Sequence, residues 1–207
     1  MIGLRKIYPY DTEIWARVER LYADAFPRNE RRAESEMRRL AECGRLNVFA
    51  VVDAVVDAAA DNVPDADNDV AVAAAVVDTD GKTDLGGEFR GFITWWDFGE
   101  FVYGEHFAML PECRGAGIGG EVIDRFVAEA GRPVVLEVEL PTDEMSRRRI
   151  GFYERHGFAL CDAEYVQPPY DAGGGGVPMR LMSHGVTLDA AMFARVRDML
   201  YAEVYGV

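Results

Sequence analysis

The feature that most constrains this chain is a glycine run between a strand and a helix. Residues 101–110 read as an apolar strand, and Pro111 stops it because proline cannot donate to a ladder. Then comes Arg114-Gly115-Ala116-Gly117-Ile118-Gly119-Gly120, leading into a helix over about 118–130 that ends at Gly131. Glycines let a backbone adopt positive φ and approach a ligand closely. The first N–H groups of a helix have no intrahelical acceptor and lie at the positive end of its dipole. Such a strand–loop–helix is therefore a ready cradle for a phosphate or pyrophosphate, and Arg114 adds a side-chain charge.

Two ligand classes fit a loop of this kind. Gly115, Gly117 and Gly120 also satisfy the dinucleotide fingerprint, with Glu137 or Glu139 about 20 residues on as its acid. In that fold, however, the strand runs straight into the first glycine and further βα units follow. Here residues 111–114 intervene, and antiparallel strands precede the single βα unit. A nucleotide-cofactor oxidoreductase is thus the lesser reading.

The rest of the chain reads as α/β. Residues 4–8 form a strand, and a helix capped by Asp11 or Thr12 runs to Ala25. A charged helix spans 30–43, and 46–53 is a strand. Residues 89–98 and 101–110 make a hairpin turning at Gly99 and Glu100. Residues 133–140 form a strand with Glu137 and Glu139 set into it, followed by a helix over 146–156 closed by Gly157. Strands follow over 158–167 and 177–183, separated by a Pro/Gly-rich loop. An amphipathic helix over 187–205 comes last, packing on the domain or on a second subunit. Consecutive hairpins predict a mixed sheet. Residues 53–88, nearly all Ala, Val, Asp and Gly, read as an acidic insertion with one apolar strand at 70–77. Asp65, Asp67 and Asp69 resemble the start of a calcium loop. Val70 and Val76 replace its glycine and its bidentate glutamate, so no metal is expected.

Composition narrows the function. In 207 residues, 36 acidic against 22 basic side chains give a formal charge of −14. Such a chain repels nucleic acid and anionic membranes and suits a cationic partner such as an amine. No 18-residue apolar run and no secretory signal are read, and Cys43, Cys113 and Cys161 are too dispersed for a disulfide framework. A cytoplasmic protein is expected.

Two segments carry a family resemblance. Residues 107–119, Phe-Ala-Met-Leu-Pro-Glu-Cys-Arg-Gly-Ala-Gly-Ile-Gly, look like the acetyl-CoA signature of the GNAT superfamily of N-acetyltransferases. About 35 residues on, 149–158, Arg-Ile-Gly-Phe-Tyr-Glu-Arg-His-Gly-Phe, resemble its later helix, where a tyrosine precedes Gly-Phe by four positions. The resemblance covers about 89–183 and implies a GNAT-like domain over 1–184. Its sheet would be mostly antiparallel, with the fourth and fifth strands splayed and helices flanking them.

That resemblance implies acetyl-CoA as co-substrate and a small-molecule or peptide amine as acceptor, attacking directly with no covalent enzyme intermediate. Coenzyme contacts would fall on Met109, Leu110, Arg114, Gly115, Ala116, Gly117, Ile118, Gly119, Gly120, Ser146 and Tyr153. A bulge near Met109 and Leu110 would free the Met109 N–H for the thioester oxygen. Tyr153 would be the general acid. Glu105 is the candidate base, with Glu139 and His106 as alternatives. Glu105 lies four residues before Met109, so simple alternation puts both on one face and His106 on the other. Ser146 and Arg149 stand where relatives often carry Asn and Ala. A non-catalytic acyl-CoA sensor of the same fold is the competing reading.

Overall fold

In the computed structural model, residues 2–53, 87–170 and 174–207 are described. The insertion at 54–86, including the expected strand at 70–77, lies outside them. Five helices and eight strands follow in the order β1 Ile2–Ile7, α1 Thr12–Ala25, α2 Glu34–Glu42, β2 Asn47–Asp53, β3 Phe89–Asp97, β4 Val102–Met109, α3 Ile118–Ala130, β5 Val134–Glu139, α4 Glu144–Arg155, β6 Ala159–Leu160, β7 Tyr165–Gln167, β8 Val177–His184 and α5 Ala190–Met199. Short 3-10 turns occupy Arg28–Glu30 and Pro111–Cys113, and a π-helical stretch, Leu200–Tyr205, continues α5.

The strands form one sheet in the order β1-β2-β3-β4-β5-β8-β6, with β7 also on β8. Every pairing is antiparallel except β4 with β5. That exception follows from the connection, because α3 carries the chain back across the sheet, as parallel neighbours require. The fold is the mixed, mostly antiparallel architecture expected from the sequence.

Apolar side chains cover both faces. On one, Ile14, Trp15, Val18, Leu21 and Tyr22 of α1 pack with Met37 and Leu40 of α2. Phe193 and Val196 of α5 and Leu200 and Val204 of the π stretch bury into the same cluster. On the other, Ile123 and Phe126 of α3 and Ile150 of α4 pack over Val134, Leu136 and Val138 of β5. The two tryptophans separate as alternation demands: Trp96 joins the first cluster, while Trp95 stacks on Phe49 at 3.9 Å in the second.

Two expected elements differ. The single strand over 158–167 is two short pieces, β6 and β7, both laid on β8. The segment 187–205 begins its helix at Ala190, where the Asp189 side chain accepts from Met192 N–H, and ends in π geometry. Among the described residues, no helix is long and apolar enough to cross a membrane.

Candidate active site

The site begins where β4 and β5 part. Their parallel register covers only Val102–Gly104 against Val134–Leu136, so the strands splay from Glu105 and Glu137 onward. The cause is a register shift in the β3–β4 ladder: Thr94 faces His106 but Trp95 faces Gly104, leaving Glu105 as an extra residue. The bulge therefore sits at Glu105, not at Met109 and Leu110 as expected.

This one residue overturns the simple alternation. A bulge moves later side chains to the other face. Glu105 and His106 consequently point to the same side: Glu105 to Arg32 and Trp96, His106 to Tyr22 and Phe26. Met109 instead packs with Cys113 and Val122 under α3. Glu105 and Met109 thus lie on opposite faces.

The backbone of Met109 still serves the gap. Leu110 N–H donates to Arg90 C=O at 2.9 Å. Antiparallel pairs alternate between bonded and non-bonded positions. Met109, opposite Gly91, therefore turns its N–H and C=O away from β3, toward where β5 has diverged. Arg114 Nε donates to that carbonyl at 3.1 Å. The same alternation aims Phe107 N–H into the gap.

At the mouth of the gap, Gly115 and Gly117 have φ of 83° and 79°, and Gly117 is the left-handed residue opening α3. The amides of Gly115, Ala116, Gly117, Ile118 and Gly119 have no hydrogen-bond acceptor among the described residues. They fit an anionic pyrophosphate. Gly120 differs from the expectation. Its N–H is bonded to Gly117 C=O, and a Cβ there would come within 2.7 Å of the His156 ring. Its smallness lets α3 approach α4.

Two cavities meet at this gap. One, of about 320 Å³, lies between Phe107 and the α4 residues Met145, Arg149, Phe152 and Tyr153. The other, of about 460 Å³, runs from Arg114 and Met109 past Tyr153 to Glu105, His106, Glu137 and Glu139, with Glu30 and Phe26 across from them. The Tyr153 hydroxyl has no hydrogen-bond partner among the described residues. Burial pushes its pKa up to about 12, with Arg149 opposing and Glu139 adding. Ser146 is occupied elsewhere. It forms a capping box with Asp143, whose Oδ1 accepts from Ser146 N–H at 2.9 Å while Ser146 Oγ accepts from Asp143 N–H at 3.2 Å. This is the reciprocal N-terminal motif of a helix, and Ser146 Oγ also donates to Asp143 C=O at 3.1 Å.

Glu105 is sealed from solvent and saturated. Oε1 accepts from Arg32 Nε at 2.8 Å and Tyr170 O–H at 3.1 Å, and Oε2 from Trp96 Nε1 at 2.9 Å. Burial alone would raise its pKa, but Arg32 and His106 outweigh burial and hold it far below the usual carboxylate range. A carboxylate so committed is a poor proton acceptor, contrary to the expectation. Glu139 is ion-paired to Arg149. His106 Nε2 sits 3.1 Å from Glu30 C=O and 3.4 Å from the Tyr22 hydroxyl. Sequence reading overlooks Arg32, Tyr170 and Tyr205, which only the tertiary fold brings here. It weighs Glu137 only as the acid of a dinucleotide fingerprint, though an acid set into an apolar strand is a visible signal.

Comparisons with known proteins agree with this geometry. The acetyltransferase (GNAT) domain family matches residues 67–160. A solved structure from Bacteroides thetaiotaomicron, assigned to the GNAT family of acetyltransferases, is 34% identical, with a TM-score of 0.77 over 99% of each chain. Arabidopsis thaliana NAA60 with a bisubstrate analogue shares the fold at 20% identity and a TM-score of 0.56, over 90% of this chain and all of its own. Vibrio cholerae spermidine N-acetyltransferase, solved with CoA and spermine, does so at 13% and 0.55, over 88% and 94%. Comparison with curated proteins gave no match. Splayed strands, an amide-lined helix start and a shared cavity define an acyl-transfer scaffold. The chain belongs to the GNAT acetyltransferase family.

Proposed function

We propose that this protein transfers an acetyl group from acetyl-CoA to a primary amine by direct attack within a ternary complex. The observation carrying this reading is the β4–β5 gap, with Met109 N–H turned into it and the free amides of residues 115–119 at its mouth. Those amides and Arg114 would hold the coenzyme pyrophosphate. Met109 N–H, with Phe107 N–H one step deeper, would donate to the thioester oxygen. Such a bond strengthens as negative charge develops there, which is where catalysis gains. Tyr153, protonated throughout the neutral range, would give its proton to the departing sulfur.

The acceptor side supports a cationic amine. Glu30, Glu105, Glu137 and Glu139 line the larger cavity with His106, Arg114 and Arg149; Arg32 pairs with Glu105 and Arg149 with Glu139, which leaves Glu30 and Glu137 to meet a cation. A positively charged acceptor is drawn into such a cleft.

Calorimetry with acetyl-CoA, followed by thiol-release assays over primary amines including spermidine and a peptide with a free N-terminus, tests the reading. Binding heat and amine-dependent release are expected. Binding without release for every amine would favour an acyl-CoA sensor, and no binding would remove the reading altogether.

A further inference from the structure

We propose that Glu137, held by the hydroxyls of Tyr165 and Tyr205 at the apex of the β4–β5 gap, takes the proton from the acceptor ammonium. This deepens the acetyl-transfer reading and rests on it. Glu105 and Glu137 are the first residues beyond the last β4–β5 pair, so two carboxylates flank the point where the strands part. Both line the same cavity. Tyr170 links their surroundings, donating to Glu105 Oε1 at 3.1 Å with its ring 5.2 Å from that of Tyr205.

Their partners differ in kind. Glu105 is neutralised by Arg32, and Glu139 is likewise ion-paired. Glu137 has no salt-bridge partner among the described residues, and only neutral groups donate to it. Tyr165 O–H donates to Oε1, and Tyr205 O–H lies 3.1 Å from Oε1 and 2.9 Å from Oε2. Gln167 Nε2 donates to the Tyr205 oxygen at 3.0 Å, which turns the Tyr205 proton toward the carboxylate. Tyr103 and Glu105 from β4, Tyr165 from β7, Tyr170 from the following loop, and Tyr201 and Tyr205 from the C-terminal stretch act on Glu137, while Glu30, His106, Glu139, Arg114 and Arg149 line the same cavity. Neither arginine pairs with Glu137: Arg149 is bound to Glu139, and Arg114 donates to Met109 C=O. An incoming ammonium supplies the missing counterion.

Burial moves the same way. It raises the Glu137 pKa to about 7, against the pull of three tyrosine hydrogen bonds and with help from Glu105. Two neighbouring carboxylates whose surroundings drive them apart commonly divide such roles.

The proton balance closes. Glu137 takes one proton from R–NH3⁺ and passes it to solvent. The freed amine forms the C–N bond and the C–S bond breaks. Tyr153 protonates the thiolate and recovers a proton from the acetylated nitrogen, leaving amide, CoA thiol and one proton.

The test compares kcat/KM from pH 5.5 to 9.5 for the wild type, Glu137→Gln, Tyr205→Phe and Glu30→Gln, using acetyl-CoA with spermidine and with a free-amine peptide. Glu137→Gln should lower kcat/KM by about a hundredfold or more and abolish its rise toward neutral pH, while acetyl-CoA binding heat persists. Tyr205→Phe removes a bond that favours the carboxylate, so that rise should shift to higher pH. Glu30→Gln, which takes a charge from the acceptor cavity, should lower kcat/KM while keeping its rise toward neutral pH. A Glu137→Gln protein that retains the rise, a Tyr205→Phe profile that does not move, or a rise lost in Glu30→Gln overturns the assignment. A wild type that acetylates neither amine overturns the transfer reading instead, and this inference with it.

Discussion

Arg32 Nε lies 2.8 Å from Glu105 Oε1, and the two side chains are only 7% and 0% exposed. The same guanidinium donates from Nη2 to Val204 C=O at 2.7 Å. One buried cation thus ties the bulge of β4 to the π-helical C-terminal stretch.

Breaking that tie should cost stability more than chemistry. Glu105→Gln leaves Arg32 charged and unpaired in a dry site, where loss of one partner costs about 3–5 kcal/mol. Urea unfolding should show a loss of this order. Replacing Arg32 by Met in the same variant should recover part of it.

The two apex carboxylates should give opposite pH dependences of stability. The folded pKa of Glu105 lies below its ordinary value of 4.5. Its contribution is present above 4.5 and lost as pH falls toward the folded value. That of Glu137 is raised from 4.5 to about 7, so its contribution is present below 4.5 and lost as pH rises to 7. Thermal melts in Glu137→Gln should fall less between pH 5 and 8 than those of the wild type.

Tyr153→Phe should depress kcat by about 10²–10⁴-fold with little change in the KM for acetyl-CoA, the pattern of a lost proton donor. Steady-state kinetics would read this. An unchanged kcat would remove Tyr153 from the chemistry.

Two glycines in one run should behave differently. Gly117, at φ 79°, resists a side chain by about 1–2 kcal/mol, and Gly117→Ala should weaken acetyl-CoA binding in calorimetry. Gly120→Ala forces the His156 ring, itself 2.6 Å from Asp124 Oδ1. It should cost about 1–3 kcal/mol of stability and leave affinity largely intact.

Local signals made much of this molecule legible. Apolar periodicity and the Gly131 stop mark α3, and Pro111 with the glycines marks the end of β4 and the turn that opens α3. The side chains of the larger cavity are harder to read. Nothing in Gly104-Glu105-His106 announces a bulge, so counting by twos put His106 on the wrong side of the sheet relative to Glu105. The capping box of Ser146 with Asp143 emerges only once the helix starts at Glu144. Arg32, Tyr170 and Tyr205 reach the cavity across long sequence separations that no local pattern encodes.

The π-helical stretch has a consequence for how disturbances spread. Val204 C=O accepts from Arg32, the partner of Glu105, and the neighbouring Tyr205 hydroxyl donates to Glu137. One short turn therefore clasps both acids that flank the parting strands. Loosening it should unsettle the two together, although neither belongs to it.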